Sequence, residues 1–141
     1  MGKRRRGREA ALRMLFEIDV GKVDVEQVVA RHLAETELNP ESAEFARQLV
    51  EGTVRERRHI DDLLSRYARE WSLSRMANVD RNVLRLAAFE ILYLPDIPVS
   101  VSVDEAVEMA KKYSTAESGK FVNGILGNLI REHAPEKQAT P

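Results

Sequence analysis

The stretch 79–94 restricts the fold most. Leu84, Ala87, Ala88, Ile91 and Leu92 recur there at helical spacing, and no proline interrupts until Pro95 and Pro98. Apolar residues at i, i+3, i+4, i+7 and i+8 form a face too wide for a surface helix. Other helices have to cover it.

The rest of the chain supplies them. In 5–20, Ala11, Leu15 and Ile18 share one face with Leu12 and Phe16 beside it, and Gly21 marks the stop. Asp24 with Gln27 reads as a capping box opening a helix with Val25, Val28, Val29 and Leu33. Asn39-Pro40 reads as a cap and first-turn proline before Phe45, Ala46, Leu49, Val50, Thr53 and Val54. Gly52, inside that helix, implies a close helix contact or a bend. The interleaved charges of 55–62 read as a solvated face or a junction. A fourth helix carries Ile60, Leu63, Leu64 and Tyr67, either continuous with the third or broken near His59. A loop over 71–78 turns Trp71 and Leu73 inward.

Val99-Ser-Val-Ser-Val alternates like a strand but has no second strand to pair with, so it is expected to be an extended linker. Ser102 and Glu105 then read as a capping box for a helix with Val103, Ala106, Val107 and Ala110. Lys111 and Lys112 sit at its C-terminal end, where the helix dipole favours cations. Thr115 opens the last helix, and 136–141 is expected to be a disordered tail. The expectation is an all-α fold of about seven helices in one domain over 1–135.

Composition narrows the function. The absence of cysteine excludes disulfides, thiolate metal sites and cysteine nucleophiles. A net charge of −1 leaves only local patches to attract a polyanion. No apolar run reaches the roughly 20 residues that span a bilayer. Glu9, Arg13, Glu17 and Asp19 break up any secretory or transit signal. A soluble cytoplasmic protein is expected. His32, His59 and His133 lie on separate segments without a ligand neighbour. Asp104, Glu105 and Glu108 suit a helix start. Gly119-Lys120 lacks the earlier glycine of a phosphate-binding loop, because that position is Ser114. The reading is of binding surfaces, with no reaction centre, metal or cofactor.

Two stretches stand out. Lys3, Arg4, Arg5, Arg6 and Arg8 form a basic arm at a helix start, where the dipole prefers anions. The arm is therefore either a solvated tail or a phosphate-binding element that displaces counterions. The stretch 117–128 joins an apolar face (Phe121, Val122, Ile125, Leu126) to Lys120, Asn123, Asn128 and three glycines, Gly119, Gly124 and Gly127. Each glycine costs a helix about 1 kcal/mol relative to alanine, so close approach of a helix or a ligand is expected. For Gly127 only packing is available as a reason. Spacing alone leaves Phe121 and Asn123 open between core or capping roles and a role in binding.

Four motifs carry a family resemblance: Glu9-Ala-Ala-Leu-Arg-Met-Leu-Phe16 after the arginines; Val79-Asp-Arg-Asn-Val-Leu-Arg-Leu-Ala-Ala-Phe-Glu-Ile-Leu92; Ile97-Pro98 followed by Val103-Asp-Glu-Ala-Val-Glu-Met-Ala-Lys-Lys-Tyr113; and Glu117-Ser-Gly-Lys-Phe-Val-Asn-Gly-Ile-Leu126. In this order the chain resembles the NusB family of bacterial transcription antitermination factors. A similar module precedes some ribosomal RNA cytosine methyltransferases. The resemblance implies two packed helical bundles, about 5–57 and 59–133. It implies a non-enzymatic adaptor that binds boxA RNA together with the ribosomal protein NusE and joins the RNA polymerase antitermination complex on ribosomal RNA operons. Carried over by position, Arg4, Arg5, Arg6, Arg8, Arg75, Glu117, Lys120, Phe121 and Asn123 face RNA, and Phe16 and Asp80 face NusE. Phe16 is a tyrosine in some relatives, so a hydroxyl contact there is absent. The alternative is a homodimeric protein–protein scaffold with weak or no RNA binding.

Overall fold

The computed structural model describes residues 2–21, 23–68 and 72–139, so Trp71 lies outside the described residues. The order is α1 (Lys3–Val20), α2 (Val25–Glu35), α3 (Pro40–Arg55), α4 (Arg57–Ser65), a 3-10 turn (Leu73–Arg75), α5 (Asn78–Tyr93), α6 (Val99–Tyr113), α7 (Ala116–His133) and α8 (Pro135–Ala139). No strand occurs among the described residues.

The helix expected at the centre is there. α5 packs on α1 and α3 from the first part of the chain and on α4, α6 and α7 from the second. Its burial runs right round the helix, taking in Asn82, Arg85 and Glu90 as well as the apolar face. Each of those polar groups is paired, as burial requires. Asn82 Nδ2 donates to Asp19 at 3.0 Å, and Arg85 forks onto Asp61 at 2.8 and 2.9 Å. Gly52 of α3 is required by the packing on α5. A Cβ there would stand 2.1 Å from Cζ of Phe89.

Local caps form where the side chains predict them. Asp24 accepts from the Glu26 amide at 3.0 Å, Asn39 from Ser42 at 2.9 Å and Thr115 from Ser118 at 3.1 Å. The third and fourth helices are separate, broken at Glu56 (φ −96°, ψ 10°). The charged 55–62 stretch is a junction. Arg57 reaches Asp19 at 3.3 Å and Asp61 at 3.7 Å.

Two expectations are corrected. The Val-Ser alternation over 99–103 is helical: α6 starts at Val99, with Pro98 at the N-cap position and no side-chain cap. Ser102 is no capping residue. It is buried, and its hydroxyl donates to Glu90 Oε1 at 2.9 Å. The chain is helical over Pro135–Ala139, where a disordered tail is expected over 136–141; residues 140 and 141 of that expectation lie outside the described residues. Lys137 Nζ reaches back to the carbonyls of Glu90, Ile91 and Leu94 at 3.2, 3.1 and 3.0 Å. It thereby adds a charged donor to buried carbonyls at the end of α5. Burial lowers its pKa, against the charges of Glu90 and Asp96.

Candidate nucleic-acid interface

The basic arm is the first turn and a half of α1, with no acidic residue of its own in that turn. Other elements provide the anions. Lys3 pairs with Glu41 of α3 at 3.1 Å, Arg4 with Asp96 at 3.5 Å, and Arg5 with Glu105 of α6 at 2.7 Å. Arg4 also lies over the Phe45 ring, 5.3 Å from its centroid. Arg6 is exposed and has no acidic partner among the described residues.

Arg8 corrects the reading of the arm as a uniform contact surface. It is 2% exposed, and its guanidinium makes a two-point pair with Glu90 at 2.8 and 2.8 Å. The other face of this network holds Ser102 and, at 3.5 Å, Glu105. Arg8 thus fastens α1 to α5 and does not face solvent. Hydrogen bonding and charge from Arg5, with help from Arg8, hold the Glu105 carboxyl below its ordinary pKa despite burial.

The start of α7 makes a separate cleft of about 330 Å³. Arg75, Met76, Ala77, Asp80, Thr115, Glu117, Ser118 and Phe121 line it. Four residues singled out in the sequence, Arg75, Asp80, Glu117 and Phe121, therefore converge. Their positions follow from long-range bonds. Arg81 donates to the carbonyls of Leu73 and Met76 at 2.9 and 3.3 Å, which fixes the loop bearing Arg75. Arg81 is itself held by Asp19 at 2.7 Å. Ser118 donates to Asp80 Oδ2 at 3.0 Å, tying the α7 N-terminus to α5, while Asp80 Oδ1 is buried with no protein partner. Phe121 is half-buried against the core and still presents part of its ring to the cleft. It is thus a partial core residue with part of its ring accessible.

Lys120 and Asn123 belong to the same helix, and Lys120 lies 3.8 Å from Glu117. Both are exposed. Of the three glycines, Gly119 packs closely, since a Cβ there would meet Lys111 at 3.0 Å. Gly124 has open space beside it, and Gly127 would meet only Arg131 at 3.5 Å, so packing does not require Gly127. Phe16 stands on α1, 41% exposed, with Val20 one turn on at 62% and Val23 at 44%. Asp80 lines the α7 cleft, whereas Phe16 does not.

The arm and the α7 cleft are linked through α6, a connection the sequence did not reveal. Lys112 Nζ and the Tyr113 hydroxyl both donate to Glu9 of α1, at 2.8 and 3.2 Å. Lys112 and Lys111 are the residues that sequence reasoning assigned only to the helix dipole. The histidines are structural or exposed: His32 meets Glu17 at 2.9 Å, His133 packs edge-on against Tyr67, and His59 faces solvent.

Cations, a partly exposed ring and the exposed Asn123 amide on a helical scaffold define a helical binding domain. Comparison with known proteins identifies which. The NusB family profile matches residues 5–131. The transcription antitermination protein NusB of Desulforamulus reducens is 49% identical over 127 residues, covering 90% of this chain and 89% of the relative. That of Symbiobacterium thermophilum is 51% identical over 136 residues, covering 91% and 89%. Among solved structures, T. maritima NusB superposes with a TM-score of 0.90 at 46% identity, covering 98% of this chain and 97% of that one. A crystal structure of the antitermination factors NusB and NusE in complex with dsRNA superposes at 0.85 with 27% identity, covering 92% and 97%. The chain belongs to the NusB family.

Proposed function

We propose that this chain is a non-enzymatic RNA-binding adaptor of transcription antitermination, acting in the cytoplasm as a single domain of two packed helical bundles. It binds boxA-type single-stranded RNA together with the ribosomal protein NusE and joins the RNA polymerase antitermination complex on ribosomal RNA operons. The observation that carries the reading is the cleft at the start of α7. There a partly exposed ring (Phe121) meets a cation (Arg75) and two carboxylates (Asp80, Glu117), with Lys120 and Asn123 exposed on the same helix. Single-stranded RNA is recognised by stacking on rings and hydrogen bonds to splayed bases, with cations on the phosphates. Arg4, Arg5 and Arg6 supply the phosphate contacts of the arm; Arg8 supports them from within. Phe16 and Val20, with Val23 beyond, offer an apolar face to NusE.

The test is binding of a boxA-like single strand, compared with a duplex of the same sequence, alone and with NusE and across salt. Tighter binding of the single strand, strengthened by NusE, is the expected result. Equal or absent binding of both overturns the reading. The exposed Phe16, Val20 and Val23 equally suit self-pairing, which favours a homodimeric scaffold as the second reading. A dimer that persists in sedimentation when RNA and NusE are added would support that one.

A further inference from the structure

We propose that the groove between α1 and α6 is a second phosphate-binding segment of the RNA path, with Lys112 and Lys111 as its phosphate ligands; this rests on the RNA-binding reading above. The groove, about 360 Å³, is crossed by two ion pairs, Arg5 to Glu105 and Lys112 to Glu9. Burial is unequal within each pair. The Glu105 and Glu9 side chains are 13% and 12% exposed, whereas Arg5 and Lys112 are 53% and 54% exposed. The carboxylates sit at the base and the cations at the rim, so solvent meets positive charge although the groove as a whole is nearly neutral.

Lys111, 51% exposed, extends this rim towards α7, since its side chain is the one that crowds Gly119. Arg5, Lys112 and Lys111 therefore line one groove, and Lys111 reaches the helix that carries Lys120 and Phe121. Glu108, 65% exposed and 3.9 Å from Lys111, is the acid that opposes it at the rim. The ring beside the groove, Tyr113, is not open to a base: the Lys112 ammonium lies over it, 5.2 Å from its centroid, and its hydroxyl is engaged on Glu9. That leaves base stacking to the cleft and assigns the groove to the phosphodiester backbone. Lysine side chains already held by ion pairs lose less rotamer freedom when a phosphate arrives.

The experiment measures binding of a boxA-like single strand across salt, for the wild type and for Lys111→Ala with Lys112→Gln. Glutamine at 112 keeps a donor for Glu9. The expected result is a several-fold fall in affinity and a log–log salt slope shallower by about 0.7 for each phosphate no longer neutralised, with melting unchanged. Lys111→Ala alone, which leaves the Glu9 pair intact, gives the same answer at half the amplitude if the double variant folds poorly. Wild-type affinity and slope in both variants overturn the groove assignment and leave the RNA reading standing. A wild type that binds no RNA overturns both.

Discussion

The Arg8 guanidinium and the Glu90 carboxylate meet face to face, two N–H donors on two oxygens, with both side chains no more than 3% exposed. Such a pair is costly to break from one side, because the survivor is left charged and buried. Arg8→Met should therefore lower stability by about 3–5 kcal/mol, while Arg8→Met with Glu90→Leu recovers a large part of it. Chemical denaturation of the single and double variants measures this. A mild Arg8→Met phenotype would mean that the arginine is not a fastener.

Glycine chemistry separates packing from access. Gly52→Ala forces a methyl against the Phe89 ring and should destabilise by about 1–3 kcal/mol or more. Gly124→Ala meets nothing within 4 Å and should raise stability by up to about 1 kcal/mol through helix propensity. If RNA lies close to α7 at this point, the same variant binds RNA more weakly while melting higher. Thermal melting and a binding titration on one preparation test both halves.

Asp19 gives a pH signature. Burial pushes its pKa up, but hydrogen bonds from Arg81 and Asn82 and the charges of Arg85 and Arg81 prevail and hold it below its ordinary 3.8. A carboxylate lowered on folding contributes stability that is fully present above the unfolded value and lost as pH falls through the folded one. Asp19→Asn should be less stable than the wild type at neutral pH, with the gap closing below about pH 4. Urea denaturation along an acid series measures the gap. A gap independent of pH would show that shape, not charge, matters at Asp19.

Lys137→Met removes the donor that serves three carbonyls at the end of α5 and should cost about 1.5–3 kcal/mol. Hydrogen exchange at the C-terminal end of α5 should rise with it. No change in exchange there would mean that water replaces the ammonium without penalty.

The sequence made legible whatever depends on near neighbours. The apolar face of 79–94 located α5, and Asp24, Asn39 and Thr115 marked helix starts through bonds to amides two or three residues away. The misreading at 99–103 has the same origin. Valine–serine alternation mimics a strand locally, and the fact that decides against it is Glu90, the distant partner of Ser102. Phe121, Arg75, Asp80 and Glu117 were each named from family position, but only folding shows that they border one cleft. Arg8 looked like its neighbours in sequence because nothing local distinguishes a buried arginine from an exposed one. Lys111 and Lys112 were explained by the helix dipole, a true local effect that concealed their place opposite α1.

The partners of Arg8 and Arg5 lie 82 and 100 residues downstream. Synthesis runs from these arginines towards α6, so the arm cannot take up this arrangement until α5 and α6 have followed it. A product truncated before α6 carries the same arginines without Glu105 to set them. The ion pairs that set Arg5 and Arg8 thus cannot close until the chain has been made as far as Glu105.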